Sequence, residues 1–458
     1  MKLFKAKFII SFFLIIFLLG NILIFSENSL SQNIKKKIPN EYKEFLKKNV
    51  FFISNIIKEN QKIKSENNKL YQKIYQLEKA KNLTNYYFFP ETNFLQLSYS
   101  EIPIEFENRV VKKIYGDLVY PFYIDVYKEN LIFANKEGNF FFEKIENLLN
   151  NKIQNKYIIS NLPNSNLTDI IVIDDFLYVA LAKKDKNGCI YNDISIYKAK
   201  IDLKKMNFIE VLDNKYNFIA EDGCNLDLSP TGGALAYSDK DDNLFFSGNF
   251  SLTKKKYTKK EEKFNLDKGD NFLKTNKSSS IFVINLKNNK PNLVSTGHRN
   301  PLGLLVNSNN KIISTEHGPR GGDEINNIIQ GKNYGWPEVS YGEPYSTKPE
   351  SIYYYKKNHK KYGYEEPIFS FIPSIAISKI IEIDNQFSEK WQNNYFVSSL
   401  KDRSLYRIEL SDEGDKIKYM EKMHIGKRIR DISYDKNKKV FFLALEDNPS
   451  KLGLFFKK

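Results

Sequence analysis

From about Tyr87 to the C terminus, short apolar segments alternate with turn-forming residues, and this pattern limits the fold more than any other feature of the sequence. Phe and Tyr are abundant, with 35 and 29 copies, which favours strands. No long helical pattern alternates with the segments, which disfavours a parallel α/β sheet. Many short antiparallel strands instead favour a closed radial array, because closure removes exposed sheet edges. The predicted strands are Asn130–Ala134, Asp169–Leu181, Ala234–Tyr237, Leu244–Ser247, Ser280–Leu286, Lys311–Thr315, Tyr395–Ser399 and Val440–Leu445.

The net charge of +15 is concentrated near the N terminus. Residues 1–86 contain 16 Lys and 6 Glu, whereas residues 87–458 contain 54 basic and 49 acidic side chains. The larger part of the chain is therefore almost balanced, and no nucleic-acid recognition motif accompanies the charge. Nucleic-acid binding is accordingly not expected.

Phe8–Phe25 is an 18-residue apolar run, broken by Gly20 and Asn21 and preceded by three lysines. At ~1.5 Å per residue, a helix of this length is just long enough to cross ~30 Å of hydrocarbon. The lysines predict that the N terminus stays inside and that the rest of the chain lies on the outer, periplasmic side. We therefore predict a membrane anchor within residues 1–30. The alternative is a cleaved signal peptide and a secreted chain.

Residues 31–86 are predicted to form a helical stalk that precedes a β domain over residues 87–458. Between residues 41 and 80, apolar residues recur every seven positions, as in a coiled coil, and two Asn at the interleaved positions would set register and oligomeric state. A coiled coil would make the chain a homo-oligomer. A single amphipathic helix explains the same pattern. The residues of the seam are Ile56, Ile63, Leu70 and Leu77, with Ile53, Asn60, Asn67 and Ile74 between them.

The chain has two cysteines, Cys189 and Cys224, and each follows a glycine in a predicted loop. Oxidising compartments permit disulfides, so we predict that the two are joined in an exported domain. The alternative is two separate thiols, because the sequence does not show whether their Cα atoms approach within ~7 Å.

The densest group of chemically distinctive residues lies between Gly297 and Tyr345, where GHRNPLGLL, STEHGPRGGDEIN and GKNYGWPEVSYGEPY follow one another. Residues 318–322 (GPRGG) are turn formers, which bring backbone carbonyl groups to the surface, and Asp323 and Glu324 follow directly. Carbonyl and carboxylate oxygens gathered by tight turns suit a hard cation such as calcium. An ordinary loop with solvated acids explains the same spacing.

These three segments closely resemble the glucose/sorbosone dehydrogenase family, which includes soluble glucose dehydrogenases and aldose sugar dehydrogenases. The resemblance is strong over Gly297–Tyr345, weaker over Pro373–Asp431 and faint before Gly232. Members of the family are six-bladed β-propellers that oxidise sugars with pyrroloquinoline quinone (PQQ) and calcium. The resemblance implies an all-β, six-bladed β-propeller with PQQ and Ca²⁺ as cofactors, a sugar or alcohol as substrate, and an electron acceptor as partner.

The same resemblance implies five cofactor-binding residues. Arg299 and Asn300 are similar to the pair that contacts the quinone, Lys401 to a cofactor-binding lysine, and Arg428 and Arg430 to a pair of arginines. The chemistry agrees, because PQQ carries three carboxylates and an ortho-quinone and so requires several cations and planar donors around one plane.

The resemblance also implies two calcium sites. The carbonyl groups of Gly318 and Pro319 correspond to ligands of the calcium ion beside the cofactor. Glu324 and Tyr334 correspond to part of a second, structural calcium site.

The expected catalytic base is missing. The family has a histidine before a Gly-rich turn and strand, in a pattern like H-x-G-G-R-L, and the matching stretch here is PTGGAL, residues 230–235. Pro230 stands at the histidine position and has no titratable group, whereas a positioned base is worth ~10²–10⁴-fold in rate. No shift of register supplies a histidine here, because all four histidines follow this stretch: His298, His317, His359 and His424. The catalytic residues are therefore unknown.

Two functions follow from these patterns. The first is a membrane-anchored, PQQ-dependent sugar dehydrogenase-like quinoprotein that acts outside the cytoplasm, as the retained cations suggest. The alternative is a catalytically silent propeller that binds a ligand, sugar or partner, as Pro230 suggests. A purely structural surface protein on a stalk would leave the clustered cations unexplained.

Overall fold

A computed structural model describes residues 93–96, 103–110, 121–154, 156–163, 165–184, 190–212, 232–248, 279–344, 355–447 and 450–457. All of these belong to one structural unit, residues 88–458. Within this part of the chain, no helix is long and apolar enough to span a membrane. The predicted anchor, the predicted stalk, Cys189, Cys224 and Pro230 lie outside the described residues.

Strands dominate the described residues. A short helix, α1 (Ile145–Leu149), follows the fifth strand, and single 3₁₀ turns occur at Lys360–Tyr362 and Glu389–Trp391. The strands, in chain order, are β1 (Asn93–Gln96), β2 (Pro103–Val110), β3 (Phe122–Tyr127), β4 (Asn130–Asn135), β5 (Phe140–Lys144), β6 (Lys156–Ser160), β7 (Ser165–Ile173), β8 (Phe176–Lys184), β9 (Ile190–Lys200), β10 (Lys205–Met206), β11 (Ile209–Leu212), β12 (Gly232–Ser238), β13 (Asn243–Gly248), β14 (Ser279–Asn285), β15 (Lys290–His298), β16 (Pro301–Val306), β17 (Ile312–Glu316), β18 (Asp323–Ile328), β19 (Phe369–Phe371), β20 (Ile377–Glu382), β21 (Asn394–Ser399), β22 (Ser404–Leu410), β23 (Ile417–His424), β24 (Arg428–Asp435), β25 (Val440–Glu446) and β26 (Lys451–Lys457).

These strands form six sheets, which we call blades 1 to 6. From the inside outwards, blade 1 is β3-β4-β5-β6-β10, blade 2 is β7-β8-β9-β11, and blades 3, 4 and 5 are β12 to β15, β16 to β19 and β20 to β23. Blade 6 is β24-β25-β26-β2-β1. Each innermost strand contacts the innermost strand of the next blade, and β24 contacts β3, so the ring is closed. The predicted all-β, six-bladed β-propeller is confirmed.

Blade 6 closes the ring by joining the two ends of the propeller. Strand β2 pairs antiparallel with β26, from Ile104 opposite Lys457 to Val110 opposite Lys451. The first and last parts of the propeller therefore share one sheet, and the ring cannot open without breaking this ladder of hydrogen bonds.

The hydrophobic core is divided among the gaps between blades. Each of the six gaps is filled by its own cluster of buried apolar side chains from the two blades that face it. Between blades 5 and 6, Phe396 meets Phe441 and Phe455 edge to face, with ring centroids 5.0 and 5.4 Å apart. Strands such as β25 are buried along their whole length because neighbouring blades cover both faces.

Hydroxyl groups reinforce the four successive joints from blade 2 to blade 6. In each joint, a Ser or Thr donates a hydrogen bond to a main-chain carbonyl near the start of the next innermost strand. The bonds run from Thr168 Oγ1 to Gly233 O (3.3 Å), from Ser247 Oγ to Pro301 O (2.9 Å), from Thr315 Oγ1 to Ser378 O (2.5 Å) and from Ser378 Oγ to Ile429 O (2.6 Å).

A buried ionic network crosses the centre of the ring. Lys379 Nζ of blade 5 lies 2.7 and 2.9 Å from the carboxylate oxygens of Asp169 in blade 2, on the opposite side, and 3.6 Å from Asp431 of blade 6. Asp125 of blade 1 also contributes to the electrostatic field at Lys379. We call Lys379, Asp125, Asp169 and Asp431 the axial plug. On the side where the innermost strands end, Lys379 and Asp125 border a cavity of about 540 Å³.

The carboxylates of the axial plug also tie the blades together. Asp431 Oδ2 accepts the main-chain N–H of Ile124 (2.9 Å), and Asp169 Oδ2 accepts that of Leu235 (2.8 Å). Burial raises the pKa of Asp431 to about 7 and also raises that of Asp169. Burial opposes the charge of Lys379, but Asp169 and Asp431 outweigh it and raise the pKa of the amine, so Lys379 is charged.

Candidate cofactor site

The five predicted cofactor-binding residues lie at one end of the propeller, where the innermost strands begin. Arg299 and Asn300 immediately precede β16, and Arg428 and Arg430 lie at the start of β24. Lys401 follows the end of β21, which pairs antiparallel with the start of β20. The closed ring therefore brings together residues that are far apart along the chain.

The side chain of Arg299 is fixed by its neighbours and has one buried N–H donor that pairs with none of the described residues. Its Nη1 donates to the carbonyl of His317 (2.9 Å), and its guanidinium lies over the ring of Trp336, 5.3 Å from the centroid. Its main-chain N–H donates to Glu316 (3.1 Å). The Nε atom is buried and has no hydrogen-bond partner among the described residues. Such an unpaired buried donor is costly unless a ligand accepts from it.

Arg428 and Arg430 share one carboxylate. Their Nε atoms donate to the two oxygens of Glu446, at 2.8 and 2.7 Å, and Nη2 of Arg430 lies 2.6 Å from Glu446 Oε1. Glu446 is almost completely buried, whereas Arg428 is 43% and Arg430 17% exposed. Because the two guanidinium groups share this carboxylate, Glu446 balances only one of their two positive charges.

His317 lies between these arginines. Burial lowers the pKa of its imidazole to about 4, and the charges of Arg430 and Arg299 add to this effect against the opposing charge of Asp323. The ring is therefore neutral near pH 7. Its Nε2 is buried without a hydrogen-bond partner among the described residues. We call Arg299, Arg428, Arg430 and His317 the arginine cluster.

Asn300 and Lys401 lie beside this cluster in different ways. Asn300 Oδ1 accepts the main-chain N–H of Gly232 (2.8 Å), which ties blade 4 to the start of blade 3. Lys401 has an exposed side chain, and its main-chain N–H donates to Ile375 (3.0 Å). The structure thus brings Arg428 and Arg430 together on Glu446, and Arg430 and Arg299 close to His317. Among the described residues, Lys401 makes no side-chain contact with them.

The turn that follows β17 carries Gly318 and Pro319, the predicted ligands of the first calcium ion. The turn is very tight, because a Cβ added at Gly318 would lie 2.2 Å from the carbonyl oxygen of Gly322. Gly322 has a φ of +71°, and a Cβ there would lie 2.3 Å from the nitrogen of Gly342. Only glycine fits at these two positions, so the sequence dictates how the turn exposes its backbone.

Asp323 holds this turn against the next blade. Its Oδ1 accepts from the N–H of Gly318 (3.0 Å) and from the hydroxyl of Ser374 (2.6 Å), and its Oδ2 accepts from the N–H of Ile377 (3.1 Å). The carboxylate is therefore used as a structural acceptor. A cation bound at this turn would depend on backbone oxygens and on a ligand's own oxygens.

The predicted second calcium site is surrounded by hydrogen-bond donors. His359 Nδ1 lies 2.9 Å from the carbonyl of Tyr334, and its Nε2 lies 3.4 Å from Oε1 of Glu324. Asn326 Nδ2 donates to the other carboxylate oxygen, Oε2, at 3.3 Å. The Tyr334 hydroxyl donates to the carbonyl of Asn327 and accepts from the N–H of Ile329. In this arrangement Glu324 and Tyr334 do not fit a calcium ion, which requires six to eight oxygen ligands.

Glu324 shares its environment with a second buried glutamate, Glu316. Burial raises the pKa of Glu324 to about 7, and the nearby Glu316 adds to this effect. Burial opposes the charge of Glu316 too, but the neighbouring His298 lowers the pKa of its carboxyl group. Asn326 Nδ2 bridges the two carboxylates. The two carboxylates therefore form one buried polar unit in blade 4. Within the described residues, no group of three or more His, Cys, Asp or Glu side chains is arranged to hold a metal ion.

Comparisons with known proteins agree with this architecture. A family model described as Glucose / Sorbosone dehydrogenase matches residues 118–452. The aldose sugar dehydrogenase YliI of Escherichia coli is 38% identical over 143 residues, which are 30% of this chain and 37% of that protein. Quinoprotein glucose dehydrogenase B of Acinetobacter calcoaceticus is 50% identical over 48 residues, 10% of either chain. The chain thus aligns with well under half the length of these relatives.

Solved structures share the fold. The apo-form of the soluble aldose sugar dehydrogenase from Escherichia coli superposes with a TM-score of 0.57 at 20% identity, over 77% of this chain and 100% of that one. A crystal structure of a glucose dehydrogenase gives a TM-score of 0.56 at 20% identity, over 76% and 98% of the two chains.

Fold and site together define a six-bladed β-propeller with a group of arginines at the end where its innermost strands begin. Because the family model covers most of its length, the chain belongs to the glucose/sorbosone dehydrogenase family.

Proposed function

We propose that this chain is a PQQ-dependent sugar dehydrogenase-like quinoprotein that oxidises a sugar or other alcohol and passes the electrons to a separate acceptor. The observation that carries the proposal is the arginine cluster: Arg428 and Arg430 share one buried carboxylate, the charges of Arg430 and Arg299 both act on a neutral imidazole, and two buried nitrogen atoms there have no partner among the described residues. The quinoprotein and aldose sugar dehydrogenase relatives support the choice of cofactor and substrate class.

The residues of the site would hold PQQ by charge and shape. Arg428 and Arg430 would neutralise its carboxylates, because their shared Glu446 balances only one of them. Arg299, fixed over Trp336, would direct its unpaired Nε towards an anionic oxygen. Asn300 and the exposed Lys401 would complete the set, and the carbonyl groups of Gly318 and Pro319 would face the calcium ion that accompanies the cofactor. When bound, PQQ would supply the two-electron acceptor.

The surroundings of the arginine cluster would keep this site rigid. The axial plug crosses the axis of the ring, so we expect a ligand to enter and leave at the end where the innermost strands begin. Because Pro230 has no titratable group, the proposal assigns no catalytic base. The proposal further includes an uncleaved anchor at Phe8–Phe25, a helical stalk that allows a homo-oligomer, and a propeller on the periplasmic side.

Pro230 favours a second candidate, a catalytically silent propeller that binds a sugar or other ligand at the same site. Turnover separates the two. The full chain, purified in detergent, is mixed with PQQ and calcium, and dye reduction is followed with a panel of aldoses and simple alcohols. Dye reduction that requires both PQQ and the substrate supports the dehydrogenase. A change in the quinone spectrum without turnover supports the silent propeller, and no spectral change contradicts PQQ binding in either candidate.

A further inference from the structure

We infer that the imidazole of His359 occupies the position of the second calcium ion, so that a side chain of this protein does the structural work that the family resemblance assigns to a metal. The inference concerns the core of blade 4 and does not depend on the proposed activity.

The position of the ring carries the inference. A carbonyl oxygen can only accept, so the 2.9 Å contact with Tyr334 fixes a proton on Nδ1 of His359. On its other side, Nε2 faces Oε1 of Glu324 at 3.4 Å. Calcium holds its oxygen ligands at ~2.3–2.6 Å, so two oxygens that share one ion lie within about 5 Å of each other. Here a whole imidazole ring stands between the two oxygens.

The ring cannot easily move aside. His359 is 1% exposed, and Tyr341 stacks on it with centroids 5.3 Å apart and an angle of 24° between the planes. Its main-chain carbonyl accepts from the N–H groups of Tyr362 (3.0 Å) and Tyr364 (3.1 Å). The Tyr341 hydroxyl donates to Glu366, whose second oxygen accepts the N–H of Lys360 (3.0 Å). The segment that carries His359 is thus fixed through its backbone and through the ring.

The remaining groups also suit an imidazole better than an ion. Asn326 directs an N–H group at Glu324, and such a donor would be repelled by a cation bound to the same carboxylate. The Tyr334 hydroxyl is engaged by the backbone of residues 327 and 329. The Glu324 carboxylate is faced by the N–H donor of Asn326 and by the ring of His359, and the second carboxylate beside it is that of Glu316.

The number of calcium ions bound per chain tests the inference. The full chain, stripped of metal and free of PQQ, is dialysed against calcium, and the bound ions per chain are measured for the wild type and for His359→Ala. The variant is expected to bind one more ion than the wild type, because it empties the position between Glu324 and Tyr334. Adding Glu324→Gln to His359→Ala is expected to remove that extra ion. His424→Ala, at a half-buried histidine on the outermost strand of blade 5, is the matched control and should bind as many ions as the wild type.

A second variant decides the matter even if His359→Ala does not fold. Glu324→Gln alone keeps the shape of the side chain, and we expect it to bind as many calcium ions as the wild type. The loss of one ion in Glu324→Gln would overturn the inference, because it would show that calcium displaces the ring in the native protein. A folded His359→Ala that gains no ion would overturn it equally, because the vacated position would then not be an ion site.

Discussion

Two groups of charged side chains lie around the axis of this propeller. They differ in whether their buried polar atoms have hydrogen-bond or ionic partners. In the axial plug, Lys379 contacts Asp169 and Asp431, and these carboxylates also accept main-chain N–H groups of the next blade. In the arginine cluster, buried nitrogen atoms of Arg299 and His317 have no partner among the described residues. The described residues therefore satisfy the charges of the first group, whereas the second keeps buried nitrogen atoms that pair with none of them.

The axial plug should be essential for stability. Replacing Lys379 with Met removes the cation that lies between the buried carboxylates of Asp169 in blade 2 and Asp431 in blade 6, and breaking a buried ion pair in this way costs ~3–5 kcal/mol. We expect urea unfolding to show a loss of this size. Lys422→Met is the control, because Lys422 forms an exposed pair with Asp402 and such pairs are worth ~0–1 kcal/mol. Equal losses in the two variants would mean that the plug has no special role.

The turn that follows β17 should tolerate no side chain at Gly322. In Gly322→Ala, a left-handed conformation costing ~1–2 kcal/mol is combined with an overlap with Gly342 costing ~1–3 kcal/mol. Gly331→Ala is matched in φ, at +78°, but a Cβ there meets nothing within 4 Å. We expect thermal unfolding to show the smaller cost alone in Gly331→Ala. If the two variants are equally stable, the close approach is not a constraint on the turn.

The axial plug should also make stability depend on pH. Burial raises the pKa of Asp431 from 3.8 to about 7, so the folded protein holds this proton over a range in which the unfolded chain releases it. The stabilisation is therefore complete below about pH 4 and is lost as the pH rises towards 7, with an effect on the order of 4 kcal/mol at about 1.4 kcal/mol per pKa unit. Asp431→Asn should lack this component when urea unfolding is compared at pH 4.5 and 7.5. An unchanged pH profile in the variant would assign the effect to other groups.

The arginine cluster should contribute least to stability. Removing the guanidinium of Arg299 also removes its buried, unpaired Nε, so Arg299→Met is expected to change the free energy of unfolding by less than ~1 kcal/mol in the absence of ligand. Urea unfolding of the ligand-free protein checks this. A loss as large as that of Lys379→Met would remove the difference between the two groups.

The sequence predicted the fold through strand alternation and family resemblance, but not its details. The segment Asp169–Leu181 was expected to be one strand, whereas the structure divides it between β7 and β8. Asp174, with a φ of +51°, forms the turn between them. The apolar residues on both sides make the sequence look like one continuous strand, so the turn is not evident from it. The pairing of β2 with β26 was also not foreseen, because closure of the ring depends on residues at opposite ends of the propeller.

The candidate site was predictable only where a local motif marks it. Arg299, Arg428 and Arg430 stand in such motifs and lie together, whereas nothing in the sequence identifies Glu446 as their shared partner. Lys379 and Asp169 are separated by 210 positions, so no spacing rule connects them. The sequence marks His359 only as one of four histidines, because the contacts that give it a role exist only in the folded blade.

Equilibrium binding of PQQ to the full chain tests the central claim most directly. We predict saturable binding of one PQQ per chain in the presence of calcium, weakened by ~10–100-fold in Arg299→Met and in Arg430→Met, because each removes charge-assisted hydrogen bonds worth ~1.5–3 kcal/mol. Arg403→Gln, at an exposed arginine in the same turn as Lys401, should bind like the wild type. No binding by the wild type, or equal binding by all four proteins, would contradict the claim that the arginine cluster is a cofactor site.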